Sequence, residues 1–498
     1  MSENRLVFRN IAWNALGLGL PLFVALAAFP FLIKGLGTDR FGVLALAWMV
    51  VGYFSIFDLG LGRALIKIVA EKRGAGSEKE LPGVIYTTLL LMAVLGVASA
   101  ITFWHFAPWL VNQVLNISND LRPETLRSFQ ILSISMPVVV VSAGLSGILE
   151  AHQRFDLVNS VRLPLGVTTF LVPLFVLPLS SSLVPITLAL LGVRFIACCA
   201  FGAMCLAVVR DLRSKIEIVP AVIPVLIRMG GWMSVSNIVS PLMVYLDRFV
   251  IGAMLSISAV TFYATPYEVV TRALMLPRAI MGVLFPEFSF TIATNPSAAA
   301  NLYQRWIKYI FALMFPFTLI IVTFAHDLLE VWLGLEFADK SSRVLQLLAI
   351  GVLVNSLAQV SFGLIQSAGR PDITAKIHMF ELPFYLAALW FFIGRFGITG
   401  AALVWMLRVA VDAILLFAFA SRVLMYGSAI STRNLVIILL LSPVIFVGAL
   451  LPDSIYRLLY IVFALLLFVP VCWRYLLQGS DRQYLEQNLK RVTRHKSA

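Results

Sequence analysis

Apolar runs of about 18 to 25 residues recur from one end of the chain to the other, and no other feature limits the fold as strongly. As a helix, each run is long enough to cross a hydrocarbon core of roughly 30 Å. The predicted spans, about fourteen in number, cover residues 10–33, 41–69, 83–108, 128–149, 163–181, 183–209, 230–254, 259–285, 307–325, 344–366, 374–394, 398–420, 432–451 and 456–477. A membrane barrel would instead need short strands of alternating polarity. The sequence therefore predicts an all-α polytopic membrane protein.

The composition agrees with this fold class and argues against an enzyme. Of the 498 residues, 60% are apolar and 13% are charged, whereas soluble domains are roughly half apolar and a quarter charged. The loops are short, with few His or paired carboxylates, and leave no room for a soluble catalytic domain. All four cysteines lie inside apolar runs without the spacing of metal ligands. We therefore predict no catalytic residues, no metal and no cofactor.

Basic residues are concentrated in every second loop. The loops assigned to the cytoplasm hold Arg5, Lys72, Arg73, Arg154, Arg162, Arg210, Lys215, Arg305, Arg370, Lys376 and Arg422, and the tail from Arg474 to Lys496 continues the pattern. The opposite loops hold few, such as Arg40 and Lys340. By the positive-inside rule, both termini then lie in the cytoplasm, which requires an even number of spans. The net charge of +13 is explained by this topology and by anionic lipid heads, so nucleic-acid binding is not needed.

The sequence contains an internal repeat. Aligning the chain with itself at a shift of 216 positions matches Arg127 with Arg343, Gln130 with Gln346, Gly147 with Gly363, Arg154 with Arg370 and Asp156 with Asp372. At nearby shifts, residues 63–65 return at 272–274, and Arg194 returns as Arg408. Apolar helices share a small alphabet, so chance matching is the alternative, but polar matches are harder to obtain by chance. We expect a six-helix lobe at 1–215, a second at 216–426, two additional spans at 427–477 and a basic tail at 478–498.

Charged residues inside the predicted spans are candidates for function, because each costs several kcal/mol unless it faces water or a partner. The basic members are Arg63, Lys67, Arg194, Arg272 and Arg408, and the acidic members are Asp58, Glu268, Glu381 and Asp412. Glu268 and Arg272 are four residues apart, as are Arg408 and Asp412, so each pair lies on one helix face. As a set they indicate a polar transport cavity, and structural pairing between helices is the alternative.

The sign of these charges points to the cargo. The basic residues match or outnumber the acids, and the fork of an arginine fits phosphate oxygens. A cavity of this kind favours an anionic head group, which makes the five basic residues candidate substrate ligands. The four acids are candidates for coupling transport to a proton or sodium ion. Their alternative role is as counter-charges for the arginines, and the sequence slightly favours this role over coupling.

Three short motifs resemble a known family. They are FDLGLGRA at 57–64, YLDRFVIG at 245–252 and SAGR at 367–370. In this order and beside the repeat, they are similar to the polysaccharide-type flippases of the multidrug/oligosaccharidyl-lipid/polysaccharide (MOP) exporter superfamily, which includes the O-antigen flippases. The resemblance covers nearly the whole chain.

The resemblance implies a fold and a function. The fold would be a V-shaped pair of six-helix lobes around a cationic cavity in a bacterial inner membrane. The cargo would be undecaprenyl-diphosphate-linked oligosaccharide, flipped from the cytoplasmic to the periplasmic leaflet by alternating access and passed to polysaccharide polymerase machinery. The two additional C-terminal spans look like those that give the related lipid II flippase a groove for its lipid tail.

Other functions stay open at this point. A lipid II flippase would use similar physics, so charge does not separate it from an oligosaccharide flippase. A multidrug and cation antiporter of the same superfamily would need an acid-dominated cavity, which the buried arginines disfavour. A membrane enzyme, such as a polymerase or ligase, would need a sizeable outer loop with catalytic groups.

Overall fold

The computed structural model describes residues 3–53, 58, 60–74, 78–213, 216–224, 226, 243, 245–424, 444–445, 447–451 and 454–476. Within these ranges the regular structure is entirely helical, and nine helices are long and apolar enough to cross a membrane. The predicted all-α class is thus confirmed. The predicted number of spans is not, since the windows 230–254 and 432–451 fall mainly outside the described ranges. The predicted tail, 478–498, lies wholly outside them.

The helices fall into two compact units, Met1–Thr265 and Pro266–Ala498. The first unit contains α1 (Glu3–Tyr53), α2 (Leu61–Gly74), α3 (Leu81–Trp109), α4 (Arg122–Ala151), α5 (Phe155–Val176) and α6 (Leu183–Val208). Helix α7 (Ile257–Val270) crosses the division, and the second unit continues with α8 (Met275–Thr294), α9 (Pro296–Thr323), α10 (Ala325–Leu333), α11 (Leu335–Ser367), α12 (Pro371–Val423) and α13 (Ser454–Val471). Helix α4 packs against α2, α3 and α6 in the first unit, and α11 packs against α8, α9, α10 and α12 in the second.

Single glycines break the two longest helices. Helix α1 has a non-helical residue at Gly37 (φ 78°, ψ 165°), and α12 has one at Gly397 (φ 58°, ψ −140°). Both conformations are rare for residues with a Cβ atom. Each helix therefore consists of two segments that belong to separate predicted windows, and a single residue joins them.

The predicted second span, 41–69, is interrupted. Just before α2 begins at Leu61, Gly60 has a left-handed φ of 72°. An oxygen of the Asp58 carboxylate accepts a hydrogen bond from the Gly60 N–H (Oδ1–N 2.8 Å), as an acid does at a helix N-terminus. One acid and two glycines hardly alter the mean hydropathy of this window, which explains why the sequence predicts a single helix here.

The internal repeat has a matching local structure. Helices α4 and α11 end at Ala151 and Ser367, and in each case the second residue beyond the end, Gln153 (φ 57°) or Gly369 (φ 74°), is left-handed. The next N–H in each copy closes a six-residue turn, with N–O distances of 2.9 Å from Arg154 to Leu149 and 3.1 Å from Arg370 to Ile365. Such turns commonly end helices. The duplicated sequence thus folds into duplicated helix ends.

An ion pair is also repeated just after each turn. Arg154 donates to both oxygens of Asp156 (3.0 and 2.9 Å), and Arg370 does the same to Asp372 (3.1 and 3.4 Å). Both pairs stand at the start of the following helix, α5 or α12. The polar matches that revealed the repeat therefore have equivalent contacts in the two copies.

Candidate functional site

The first unit encloses a cavity of about 530 Å³. Residues of α1, α2, α4, α5 and α6 line it, together with Asp58 from the turn before α2. Its charged side chains are Asp58, Arg63, Glu150, Arg162 and Arg194. Hydroxyl groups of Ser142, Ser146 and Thr169 add to the polar wall. With three arginines and two carboxylates, the wall carries a net positive charge.

Arg194 is the most unusual member of this cavity. The residue is only 9% exposed, and its Nη1 atom is buried without a hydrogen-bond partner in the described part of the chain. A guanidinium within a membrane span is costly when it lacks a partner, and the Nη1 group favours an anion with accepting oxygens. The arginine predicted from the sequence therefore faces a cavity in which an anionic ligand would satisfy it.

The other predicted residues of α2 have different environments. Asp58 caps this helix, and a Cβ atom at Gly62 would lie 2.9 Å from its Oδ2 atom, so glycine allows the carboxylate to approach. Arg63 is exposed within the cavity wall. The side chain of Lys67 lies outside the described part of the structure.

An ion pair that the sequence did not single out lies in the same cavity. Arg162 Nη2 is 2.6 Å from Glu150 Oε1 and 3.2 Å from the hydroxyl oxygen of Ser146. The sequence assigns Arg162 to a cytoplasmic loop, but α5 begins at Phe155, so Arg162 lies about two turns into this helix. Hydropathy does not identify it, because charged residues are common near the ends of membrane helices.

The second unit contains another cavity, of about 450 Å³, between the two segments of α12. Glu381 and Arg408 are the charged residues in its otherwise apolar and aromatic wall. The guanidinium carbon of Arg408 lies 5.4 Å from the centre of the Tyr385 ring. Glu381 is 6% exposed, and both of its carboxylate oxygens are buried without a hydrogen-bond partner among the described residues.

Asp412 lies in the same region, on the Arg408 segment, and is 8% exposed. Its Oδ1 atom is 3.5 Å from Nε2 of His378, a residue that the sequence analysis missed. The break at Gly397 returns the second segment of α12 along the first, which brings Glu381, Arg408 and Asp412 together although up to 31 residues separate them.

Glu268 and Arg272 form the ion pair that their spacing predicts, with 3.3 Å between Oε2 and Nη2. Both side chains are about one-third exposed, and neither lines the two cavities described here. The predicted basic residues are therefore distributed: Arg63 and Arg194 share the first cavity, Arg408 lines the second, and Arg272 pairs with its own acid.

Comparison with known proteins gives a matching family model and a similar protein. The model of the family described as "Polysaccharide biosynthesis protein" matches residues 7–292. A protein of Shigella flexneri described as "Putative O-antigen transporter" is 32% identical over 411 residues, which cover 82% of this chain and 96% of the relative.

Solved structures with a similar fold include two transporters. One is the lipid II flippase MurJ in an inward closed conformation, with a TM-score of 0.72 and 13% identity over 95% of this chain and 100% of that one. The other is an inward-facing multidrug resistance transporter of the MATE family in the MOP superfamily, with a TM-score of 0.71 and 15% identity over 82% of this chain and 98% of that one. These likenesses establish the fold class.

Proposed function

Because the chain belongs to the polysaccharide biosynthesis protein family, we propose that it flips a lipid-linked oligosaccharide across the membrane during the assembly of surface polysaccharide or O-antigen. The cargo is undecaprenyl-diphosphate-linked oligosaccharide, and it moves from the cytoplasmic to the periplasmic leaflet of a bacterial inner membrane. Both termini lie in the cytoplasm, as the distribution of basic residues predicts. The protein acts as a transporter and performs no covalent chemistry.

One observation carries this proposal: the Nη1 atom of Arg194, which lies in the cavity of the first unit and has no hydrogen-bond partner among the described residues. A diphosphate offers several accepting oxygens and two or more negative charges. Arg194 and Arg63 supply donors with fixed fork geometry, which suits phosphate better than the point charge of a lysine. The surrounding hydroxyl groups are suited to the polar end of the cargo.

Transport requires that the charged head group of the cargo stays solvated, by water or by protein groups, at each stage of its passage. The diphosphate leaves water only where arginines replace its hydration, which lowers the barrier in the hydrocarbon layer. Alternating access opens the cavity first to one leaflet and then to the other. Lys67, Arg272 and Arg408 are further candidate ligands along this route. Asp58, Glu268, Glu381 and Asp412 remain candidates for proton or sodium coupling, or for balancing the arginines.

The test is deletion of the gene in its host, followed by locating the lipid-linked oligosaccharide. Accumulation on the cytoplasmic face, with loss of surface polysaccharide, is the expected result. Restoring the wild-type chain should restore export, and restoring an Arg194→Ala variant should not. A normal periplasmic pool in the deletion strain would contradict the proposal.

A second assay separates the cargo from a close alternative. The purified chain in liposomes is offered either undecaprenyl-diphosphate oligosaccharide or lipid II, and the labelled head group that reaches the opposite leaflet is measured. Faster transfer of the oligosaccharide supports the proposed cargo. Transfer of lipid II alone would assign the chain to peptidoglycan assembly.

A further inference from the structure

An ion pair in the wall of the first-unit cavity holds an arginine that an anionic ligand would otherwise engage. Glu150 is the next-to-last residue of α4, and Arg162 lies about two turns into α5. The Nη2 atom of Arg162 is 2.6 Å from Oε1 of Glu150 and 3.2 Å from the hydroxyl oxygen of Ser146. All three residues line the cavity, so a carboxylate of the protein occupies a donor of the candidate anion site.

The second unit shows that this ion pair is not needed to join the two helices. The equivalent positions at the repeat shift of 216 are Ser146 and Phe362, Glu150 and Gln366, and Arg162 and His378. The rings of Phe362 and His378 stack with 6.3 Å between their centres, so these positions are also close together in the second copy. Gln366 carries no charge, yet the turn at the helix end and the Arg–Asp pair after it are the same in both copies. A role in joining the helices therefore does not account for the charges of Glu150 and Arg162.

The pair is also placed where it exchanges easily. The side chains of Glu150 and Arg162 are 24% and 52% exposed, and ion pairs in such positions contribute little to stability, because water solvates the charges when they separate. A diphosphate carries more charge than one carboxylate and offers several oxygens to the guanidinium fork, and such bonds are among the strongest hydrogen bonds of proteins. The balance favours the replacement of Glu150 by an incoming diphosphate.

The other charges of the wall set the order of events. Asp58 is engaged by the Gly60 N–H at the start of α2, and the Nη1 atom of Arg194 has no hydrogen-bond partner within the described ranges. Arg194 is therefore the first donor that an anion meets, and Arg162 becomes the next once Glu150 has yielded it. A transport site must bind its cargo strongly enough to load it and weakly enough to release it. The return of Glu150 to Arg162 offsets the contacts that are lost at release.

We propose that Glu150 is a resident counter-ion of this cavity. It pairs with Arg162 before the cargo binds, yields this arginine to the diphosphate, and takes it back when the cargo leaves. The inference rests on the proposed function, because it takes the anionic head group as the ligand of the first-unit cavity. Glu150 acts through Arg162 and is a positioning residue, whereas Arg162 is a further ligand of the cargo.

The test depends on the sign of two effects on affinity. The full-length chain in detergent is titrated with undecaprenyl diphosphate, and undecaprenol, which lacks the phosphates, measures the binding of the lipid tail alone. Glu150→Gln keeps the shape of the side chain and removes the competing charge, so it should tighten diphosphate binding at least about threefold. Arg162→Met removes a ligand and should weaken binding at least about tenfold. A carboxylate that only orients Arg162 for the cargo would make both variants bind more weakly.

A matched control comes from the same helix. Asp156 on α5 pairs with Arg154 in an exposed position and does not line the cavity. Asp156→Asn removes one negative charge, as Glu150→Gln does, and should bind undecaprenyl diphosphate like the wild type. Thermal unfolding of all variants in the same detergent checks that each is folded.

The outcomes separate this inference from the proposed function. If the wild type binds undecaprenyl diphosphate and Glu150→Gln binds it equally or more weakly, the counter-ion role is overturned and the proposed cargo stands. Wild-type affinity of Arg162→Met would overturn the role as well, without relying on the Glu150 variant. If neither the wild type nor Glu150→Gln prefers undecaprenyl diphosphate to undecaprenol, the inference and the proposed function fail together.

Discussion

Replacing Arg194 with methionine should separate stability from anion binding. The substitution keeps much of the side-chain volume and removes the charge of a residue that is 9% exposed and whose Nη1 atom has no hydrogen-bond partner within the described ranges. A buried charge without a partner costs the folded state several kcal/mol. Arg194→Met should therefore unfold at the same temperature as the wild type or a higher one, in contrast to most substitutions of buried residues.

The same substitution should weaken binding of a diphosphate lipid. A hydrogen bond to a charged group contributes about 1.5–3 kcal/mol, and each 1.4 kcal/mol is about a tenfold change in affinity. One lost arginine contact therefore predicts a decrease of about 10- to 140-fold. Affinity is measured by titrating purified protein with undecaprenyl diphosphate, and stability by thermal unfolding in the same detergent.

The repeat supplies a matched control for this experiment. Arg408 is the equivalent residue in the second unit, but it stands beside Glu381 and Asp412. Arg408→Met should lower the free energy of unfolding by about 1–3 kcal/mol, because it leaves buried carboxylates without their cation. If Arg194→Met is instead as destabilising as Arg408→Met, or if it binds the diphosphate with wild-type affinity, then Arg194 braces the helices and the reasoning fails.

Two further predictions concern the scaffold. Gly397→Ala should lower the free energy of unfolding by about 1–3 kcal/mol, because alanine is strained at φ 58° and ψ −140°. Thermal unfolding measures this effect. The control is Gly192→Ala on α6, where a Cβ atom meets nothing within 4 Å, and it should be neutral or stabilising. Asp327 on α10 links to the start of α13: burial acts to raise its pKa, but the Ser454 hydroxyl and the Arg457 guanidinium outweigh burial and hold that pKa below its ordinary value. The contribution of this link to stability is therefore complete above about pH 4 and is lost as the pH falls through the lowered pKa. Acid should then reduce the unfolding temperature of the wild type more than that of Asp327→Asn. Equal acid sensitivity of the two proteins would contradict the link.

The helical class and much of the candidate site follow from sequence patterns, and the reason is the bilayer. Long apolar runs identify helices because hydrocarbon leaves the backbone no other partner, and a charge such as Arg194 stands out in such a run because it is costly there. The same logic does not find the turn at Asp58, since a capping acid and two glycines hardly alter the mean hydropathy of the window.

Which side chains pair with each other was harder to predict from the sequence. Arg162 and His378 lie near helix ends, where charged residues are common and carry little information. Whether a charge has a partner depends on how helices far apart in sequence approach each other. The sequence gives Arg408 an acid four residues away and gives Arg194 none, but the proximity of Glu381 to Arg408 is seen only in the contacts of α12.

The helix ends at Gln153 and Gly369 use the same turn at different cost. A left-handed backbone costs about 1–2 kcal/mol for a residue with a Cβ atom, and glycine avoids this penalty. Gln153 therefore leaves a local strain in the first unit that its counterpart lacks, although both turns are followed by the same Arg–Asp pair. Since Gln153 does not line the cavity, glycine at this position offers a way to stabilise the lobe that leaves its ligand chemistry intact.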